Sequence, residues 1–72
     1  MTNWTKKDRP LDEIQVRILQ LDLKKMGYNP GEIDGRVGDS LRSAVRKYQE
    51  DNGLTPDGYA DLSLLKRIDA AR

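Results

Sequence analysis

Cysteine, histidine and phenylalanine are absent from this sequence of 72 residues, and tryptophan occurs only once. Without cysteine, no disulfide can stabilise the fold and no thiolate can act as a nucleophile. Without histidine, the chain also lacks the commonest general base near neutral pH and the commonest metal ligand. The remaining candidates for chemistry are carboxylates and hydroxyls.

Long apolar runs and a strong charge of either sign are absent as well. No hydrophobic run approaches the roughly 20 residues that a membrane-spanning helix needs, and the first residues contain no apolar signal core. The 13 basic and 12 acidic residues are intermixed and give a net charge of +1. This balance argues against a partner recognised through its charge, so we predict no nucleic-acid binding and no membrane insertion.

One basic strip does favour nucleic acid. It would lie along the predicted second helix and comprises Arg36, Arg42, Arg46 and Lys47. Acidic residues stand beside these cations, and a helix face of mixed charge is typical of a solvated surface. We therefore keep nucleic-acid binding as the weaker interpretation.

Helical periodicity dominates the rest of the chain. Apolar residues recur at helical spacing in three segments, which predicts helices over residues 12–26, 40–51 and 61–70. Gly27 and Asn52-Gly53 would end the first two helices. No segment alternates long enough to form a sheet. We predict an all-α, small three-helix bundle over residues 12–70, preceded by an N-terminal arm or linker over residues 1–11.

A glycine-rich loop over residues 31–41 organises the chain. Its three glycines indicate tight turns. Ile33 and Val37 would anchor the loop on the core, and Asp39 or Ser40 would cap the helix that follows.

A shorter copy of this loop occupies residues 57–64. Its Asp57-Gly58 corresponds to Asp34-Gly35 in the first loop. The two loop-to-helix pseudo-repeats would face one another, and we predict the functional site there. The two aspartates themselves are expected to accept hydrogen bonds from backbone amides of their own turns.

Neither catalysis nor metal binding fits these loops. Glycoside hydrolysis needs two opposed carboxylates in a substrate-sized cleft, and a domain this small has little material for one. A calcium loop fails too, because its first ligand position would be Pro30 or Gly53 and its last would be Leu41 or Leu64. We predict no catalytic residue, no metal and no cofactor.

Binding of a neutral or mixed polymer fits better. Two tyrosines that each follow a glycine in a loop would offer flat faces, whereas Tyr48 lies on the apolar stripe of its helix and is expected in the core. Other polar side chains around the junctions would supply hydrogen bonds. The predicted ligand-binding residues are Tyr28, Arg36, Ser40, Arg42, Tyr59 and Asp61.

The first predicted helix carries a second apolar stripe, formed by Ile14, Ile18 and Leu21. A surface helix normally has one such stripe. The arm or the third helix could cover it. Alternatively, it could dock on another domain or on a second copy of the chain, which would make this a protein-interaction or dimerisation module.

Much of this pattern resembles the type 1, three-helix peptidoglycan-binding domains. The resemblance covers residues 14–68 with its spacing intact. It is carried by Val16, Leu19-Gln20, Leu23, Met26-Gly27-Tyr28, Gly31, Asp34-Gly35, Val37-Gly38, Ala44-Val45, Tyr48-Gln49, Gly53-Leu54 and Asp57-Gly58.

The resemblance implies a non-catalytic module that binds peptidoglycan, through the glycan strand or the stem peptide. Residues 54–65 are similar to the variant at the C-terminus of lytic murein transglycosylases, and the lead-in from Trp4 resembles the linker before it. An excised domain would then have anchored a parent enzyme to murein in the periplasm or cell envelope.

Four residues, in two groups, depart from the family pattern. Asp39 and Leu41 stand where the family has proline and threonine, so a contact from that threonine to ligand would be missing here. Ile18 and Leu21 are apolar where the family is usually polar.

Overall fold

Three α-helices make up the fold of this computed structural model, which describes residues 11–71. They are α1 (Glu13–Lys25), α2 (Asp39–Asp51) and α3 (Leu62–Ala71). Each lies within one residue of its predicted bounds, and no strand forms in the described residues. The predicted all-α three-helix fold is confirmed. The predicted arm, with Trp4, lies outside the described residues except for Leu11.

The helices begin in different ways. At α1, Asp12 Oδ1 accepts from the Gln15 amide at 2.8 Å and Gln15 Oε1 accepts from the Asp12 amide at 3.1 Å, which is a capping box. At α2, the N-cap is Gly38 and no side chain caps it. The prediction that Asp39 or Ser40 caps this helix is therefore wrong.

The displaced cap has a simple cause. Because α2 already includes Asp39, the side chain of this residue lies inside the first turn, where it pairs with Arg42 at 3.1 Å. At α3, by contrast, Asp61 Oδ1 accepts from the Leu64 amide at 2.9 Å.

A shared ending closes α1 and α2. Gly27 adopts a φ of +97°, and the amide of Tyr28 then donates to the carbonyl of Leu23 at 2.9 Å. After α2, the amide of Leu54 donates to the carbonyl of Gln49 at 2.8 Å. Both are Schellman-type endings, which need a left-handed residue that glycine supplies without strain. The pseudo-repeat thus extends back to the preceding helix ends.

All three helices contribute one apolar face to a common core, and the predicted stripes are confirmed. Tyr48 is buried, as expected. Leu11, Met26, Tyr28 and Leu54 pack partly buried against the core. Its buried members are Val16, Leu19, Leu23, Leu41, Ala44, Val45, Tyr48, Ala60, Leu64, Leu65 and Ile68.

Some apolar side chains remain outside this core. Val37 is 44% exposed, so the prediction that it anchors the first loop is wrong, whereas Ile33 is half-buried. On α1, Ile14, Ile18 and Leu21 are 68%, 39% and 45% exposed, so α3 does not cover this second stripe. No helix in the described part of the chain is long and apolar enough to cross a membrane.

Candidate functional site

The first loop is held in place by one glutamine of α1. The side chain of Gln20 is 1% exposed. Its Nε2 donates to the carbonyls of Glu32 and Arg36 at 3.0 and 3.2 Å, and to Asp34 Oδ1 at 3.2 Å. Its Oε1 accepts from the buried amide of Gly35 at 3.0 Å. A single side chain therefore fixes the backbone of the loop on both sides of its Asp-Gly pair.

The second loop repeats this arrangement with a glutamine of α2. Gln49, also buried, donates from Nε2 to Asp57 Oδ1 at 3.0 Å. Its Oε1 accepts from the amide of Gly58 at 2.9 Å. Each Asp-Gly loop is thus attached to the helix before it by a buried glutamine, whose Nε2 donates to the loop and whose Oε1 accepts from it.

Each aspartate also accepts from its own turn, as predicted. The amide of Arg36 donates to Asp34 Oδ1 at 2.9 Å, and that of Tyr59 donates to Asp57 Oδ1 at 2.9 Å. The Arg36 amide, followed by the Gln20 side chain, holds the pKa of the Asp34 carboxyl below its ordinary value. The ionised carboxylate is therefore the form that the loop favours.

The hydrogen bonds from Gln20 and Gln49 to the two Asp-Gly loops were not predicted from the sequence, although both glutamines belong to the family motif. A signal was present. Gln20 follows Leu19 and Gln49 follows Tyr48, which puts each glutamine directly beside a core position. A polar side chain at such a place needs a buried hydrogen-bond partner, and the two Asp-Gly loops supply them.

A first depression of about 400 Å³ lies between the first loop and the start of α2. Arg36 and Ser40, two predicted ligand-binding residues, lie here together. Among its lining residues Arg36 is the one cation, and three are carboxylates. The lining residues are Gln20, Pro30, Glu32, Asp34, Arg36, Val37, Gly38, Asp39, Ser40 and Leu41.

Tyr28 lies elsewhere, in a second depression between the end of α1 and the middle of α2. Its ring packs edge-to-face against buried Tyr48, with ring centres 5.9 Å apart. Its hydroxyl donates to Asp51 Oδ2 at 2.8 Å. This hydrogen bond, with burial and the charge of Asp51 adding to it, raises the pKa of Tyr28.

The other predicted residues are spread further along the surface. Asp61 lines a third depression with Leu54 and Arg67, while its carboxylate caps α3. Arg42 is exposed and paired with Asp39, and Tyr59 is half-buried. Neither of these two residues lines any of the three depressions. The structure therefore joins Arg36 to Ser40 but does not gather all six residues in one site.

The side chains around the first depression can make non-covalent contacts with a ligand. Within residues 11–71, no group of three acidic side chains comes close enough to hold a metal ion. Guanidinium, hydroxyl and carboxylate groups around an open depression can donate and accept hydrogen bonds to a polar ligand.

Comparison with known proteins places the sequence in a described family. Residues 13–68 match the family described as "Putative peptidoglycan binding domain". Localization factor PodJL of Caulobacter vibrioides is 39% identical over 51 residues, covering 71% of this chain and 5% of that protein. The uncharacterized protein YbfG of Bacillus subtilis is 42% identical over 41 residues, covering 57% of this chain and 6% of YbfG.

The fold is also similar to part of SltB3 from Pseudomonas aeruginosa. Its crystal structure in complex with NAG-anhNAM-pentapeptide matches with a TM-score of 0.86 and 37% identity, over 93% of this chain and 18% of the SltB3 chain. A second crystal structure, in complex with NAG-NAM-pentapeptide, gives a TM-score of 0.84 and 38% identity over 92% of this chain. The chain thus spans a small fraction of each of these proteins, and the resemblance found in the sequence motifs is confirmed.

Proposed function

Because this chain belongs to the family of peptidoglycan-binding domains, we propose that it is a non-catalytic module that binds peptidoglycan and anchors a longer parent protein to the cell wall. The family match over residues 13–68, nearly all of the folded chain, carries this proposal. The parent would be a lytic transglycosylase-like enzyme, in keeping with the similarity to part of SltB3, whose crystal structure is a complex with NAG-anhNAM-pentapeptide. The setting would be the periplasm or cell envelope, where peptidoglycan lies.

The first depression is the proposed contact with the wall. The Arg36 guanidinium and the Ser40 hydroxyl would hydrogen-bond to polar groups of the polymer, over a loop that Gln20 holds rigid. Such a site can be weak, because tethering gives the rest of a longer protein a high effective concentration on its substrate. Arg42 at the start of α2, and Tyr59 and Asp61 before α3, would make further contacts outside this depression.

A pull-down with purified, insoluble peptidoglycan sacculi tests this function. We expect the chain to sediment with sacculi and an Arg36→Ala, Ser40→Ala variant to bind at least about tenfold more weakly. One charged and one neutral hydrogen bond together supply about 2 kcal/mol or more. A Lys66→Ala variant, which removes an exposed cation from α3, should bind sacculi as well as the unsubstituted chain does.

Circular dichroism would confirm that all three proteins are folded. If the unsubstituted chain is folded but fails to sediment with sacculi, the proposal of wall binding is wrong. If the unsubstituted chain and the Arg36→Ala, Ser40→Ala variant sediment equally, the proposal of wall binding stands but the first depression is not the binding site.

A second candidate function is a protein-interaction module, and the exposure of Ile14, Ile18 and Leu21 favours it. These three side chains form the exposed α1 face. An apolar face is chemically complementary to a second copy of itself, so a second copy of the chain is the occupant that we propose. Three side chains form a small contact, and any self-association would therefore be weak.

Sedimentation velocity at several protein concentrations decides this question. If the face self-associates, the parent chain will show a concentration-dependent increase in mass that an Ile18→Glu, Leu21→Glu variant lacks. Both positions are substantially exposed, so folding should be retained, with a change of about 0.5 kcal/mol or less per position. A parent chain that stays monomeric at every concentration would reject self-association through this face.

A further inference from the structure

The second depression takes no part in the proposed contact of Arg36 and Ser40 with the wall. It has a volume of about 460 Å³. Helix α2 forms one wall, and the end of α1 with the turn after it forms the other. Its lining residues are Met26, Gly27, Tyr28, Asn29, Ser43, Ala44, Lys47 and Asp51.

The first and second depressions lie along one face of α2. Ser40 lines the first and Ser43, Ala44, Lys47 and Asp51 line the second. The spacing of these five residues is i, i+3, i+4, i+7 and i+11, which places them on a single helical stripe. At 1.5 Å per residue, the stripe is about 16 Å long. An elongated polymer could therefore contact both depressions at once.

The turn over residues 28–31 borders both depressions and follows the same stripe. Tyr28 and Asn29 line the second depression, and Pro30 lines the first. Gly31 lies so close to α2 that a Cβ on it would be 2.8 Å from Cβ of Ser40. The two walls are thus packed together between the pockets, which fixes the position of each pocket relative to the other.

Asp51 organises the polar groups of the second depression. One of its oxygens accepts from the Tyr28 hydroxyl at 2.8 Å, and the other lies 3.7 Å from Lys47 Nζ. The Tyr28 ring also makes an edge-to-face contact with the buried ring of Tyr48. An aromatic ring fixed in this way lines the pocket beside an ammonium, a carboxylate and the Ser43 hydroxyl.

This combination suits a neutral sugar better than a charged peptide. The apolar C–H surface of a pyranose can pack on an aromatic ring while its hydroxyls reach donors and acceptors at the rim. Lys47 and Asp51 cancel each other's charge, so the pocket offers no net charge to an ionised stem peptide. The first depression, with three carboxylates and one arginine, is chemically different.

We propose that the second depression is a saccharide-binding site, in which the Tyr28 ring, Lys47 and Asp51 hold an N-acetylated sugar ring of a glycan strand. This proposal rests on the proposed function and assigns the glycan, rather than the stem peptide, to this pocket. A strand lying along the α2 stripe would then reach the first depression with its next units.

The test uses a peptide-free probe, the tetramer of N-acetylglucosamine, titrated into the labelled chain and followed by amide chemical shifts. We expect the largest shifts at Tyr28, Ser43 and Ala44. A Lys47→Ala, Asp51→Ala variant should bind the tetramer at least about tenfold more weakly, because two charged hydrogen-bonding groups are lost.

An Arg46→Ala, Glu50→Ala variant is the matched control. It removes one cation and one anion from the same helix at positions one residue earlier, about 100° around the axis. Both residues are exposed and neither lines the pocket. Its affinity for the tetramer should stay within about twofold of the parent's, in line with small surface effects.

Sacculi binding is measured in parallel and separates the two proposals. If the unsubstituted chain binds sacculi but not the tetramer, the saccharide site is wrong and wall binding stands. The same holds if it binds sacculi and the tetramer but the tetramer shifts only amides of the first depression. Equal tetramer binding by both double variants would also overturn the site. If the parent binds neither probe, both proposals fail. Tetramer binding that only the Lys47→Ala, Asp51→Ala variant loses supports the site.

Discussion

Replacing Gln20 with alanine should lower the free energy of unfolding by about 3 kcal/mol. The change removes three donor contacts and leaves the buried amide of Gly35 without its acceptor. An unsatisfied buried amide costs about 1–3 kcal/mol, and the two hydrogens of the Gln20 side chain, shared among three acceptors, contribute about 1 kcal/mol each, so the expected loss lies at the lower end of this sum. A domain of this size has about 4–11 kcal/mol of stability in total. Urea unfolding followed by circular dichroism measures the loss.

Two comparison variants separate hydrogen bonding from packing. Gln20→Glu keeps nearly the same volume but directs a carboxylate at three oxygen acceptors, those of Glu32, Asp34 and Arg36. It should destabilise at neutral pH at least as much as the alanine variant. If Gln20→Glu is tolerated while Gln20→Ala is not, the cost comes from a cavity and the hydrogen-bond argument is wrong.

Gln49→Ala is the internal reference, because the second glutamine makes two of these contacts instead of four. We expect a loss of about 2 kcal/mol, smaller than that for Gln20. Equal losses for the two variants would mean that the additional contacts to Glu32 and Arg36 contribute nothing. The order of the two losses therefore tests how much of the first loop depends on Gln20.

The helices and the core could be predicted because their signals are local. Leu41, Ala44, Val45 and Tyr48 repeat at helical spacing, and that spacing alone specifies which face is buried. The turn role of Asp34 was likewise readable, because an aspartate before glycine commonly bonds to its own backbone. Short-range geometry, fixed by residues close in sequence, accounts for these successes.

The glutamine ties could not be read in the same way, because their partners are far apart in sequence. Gln20 is 14 residues from Asp34, and the separation in the second copy is 8. Only the packing of the loop on α1 shows that they meet. The cap of α2 was wrong because the helix starts one residue earlier than predicted. Asp39 then lies in the first turn, where it pairs with Arg42 instead of capping the helix.

The structure brings together only two of the six residues predicted for the candidate site. Arg36 and Ser40 lie in one depression, but Tyr28 and Asp61 lie in two others. The pseudo-repeat suggested two similar junctions facing one another. Similar loop sequences do not specify their relative position, because that depends on how α1 packs against α2 and α3.

Replacing Gly35 with alanine should also cost about 3 kcal/mol, for two reasons that add. Gly35 has a φ of +77°, a conformation that costs an ordinary residue about 1–2 kcal/mol. A Cβ there would lie 2.5 Å from Glu13 Cγ and 3.0 Å from the Glu13 carbonyl oxygen. The side chain of Glu13 can move aside, but the backbone oxygen belongs to the first turn of α1. Crowding of this kind costs about 1–3 kcal/mol.

Gly27→Ala is the matched control for Gly35→Ala. Gly27 also has a positive φ, of +97°, but a Cβ there would meet nothing within 4 Å. It should lose only the conformational part, about 1–2 kcal/mol. If the two alanine variants lose the same amount in urea unfolding, the close approach of Gly35 to α1 has no energetic weight.

The Gly35 and Gln20 predictions are coupled, because both residues hold the same loop against the same helix. Moving the backbone at Gly35 away from Glu13 also stretches the hydrogen bond from its amide to Gln20 Oε1. Each single substitution therefore already weakens part of the contact that the other substitution removes. The Gln20→Ala, Gly35→Ala double variant should lose less stability than the sum of the two single losses, by about 1 kcal/mol. Strict additivity would mean that the loop has two independent attachments to α1 and that neither change releases the other.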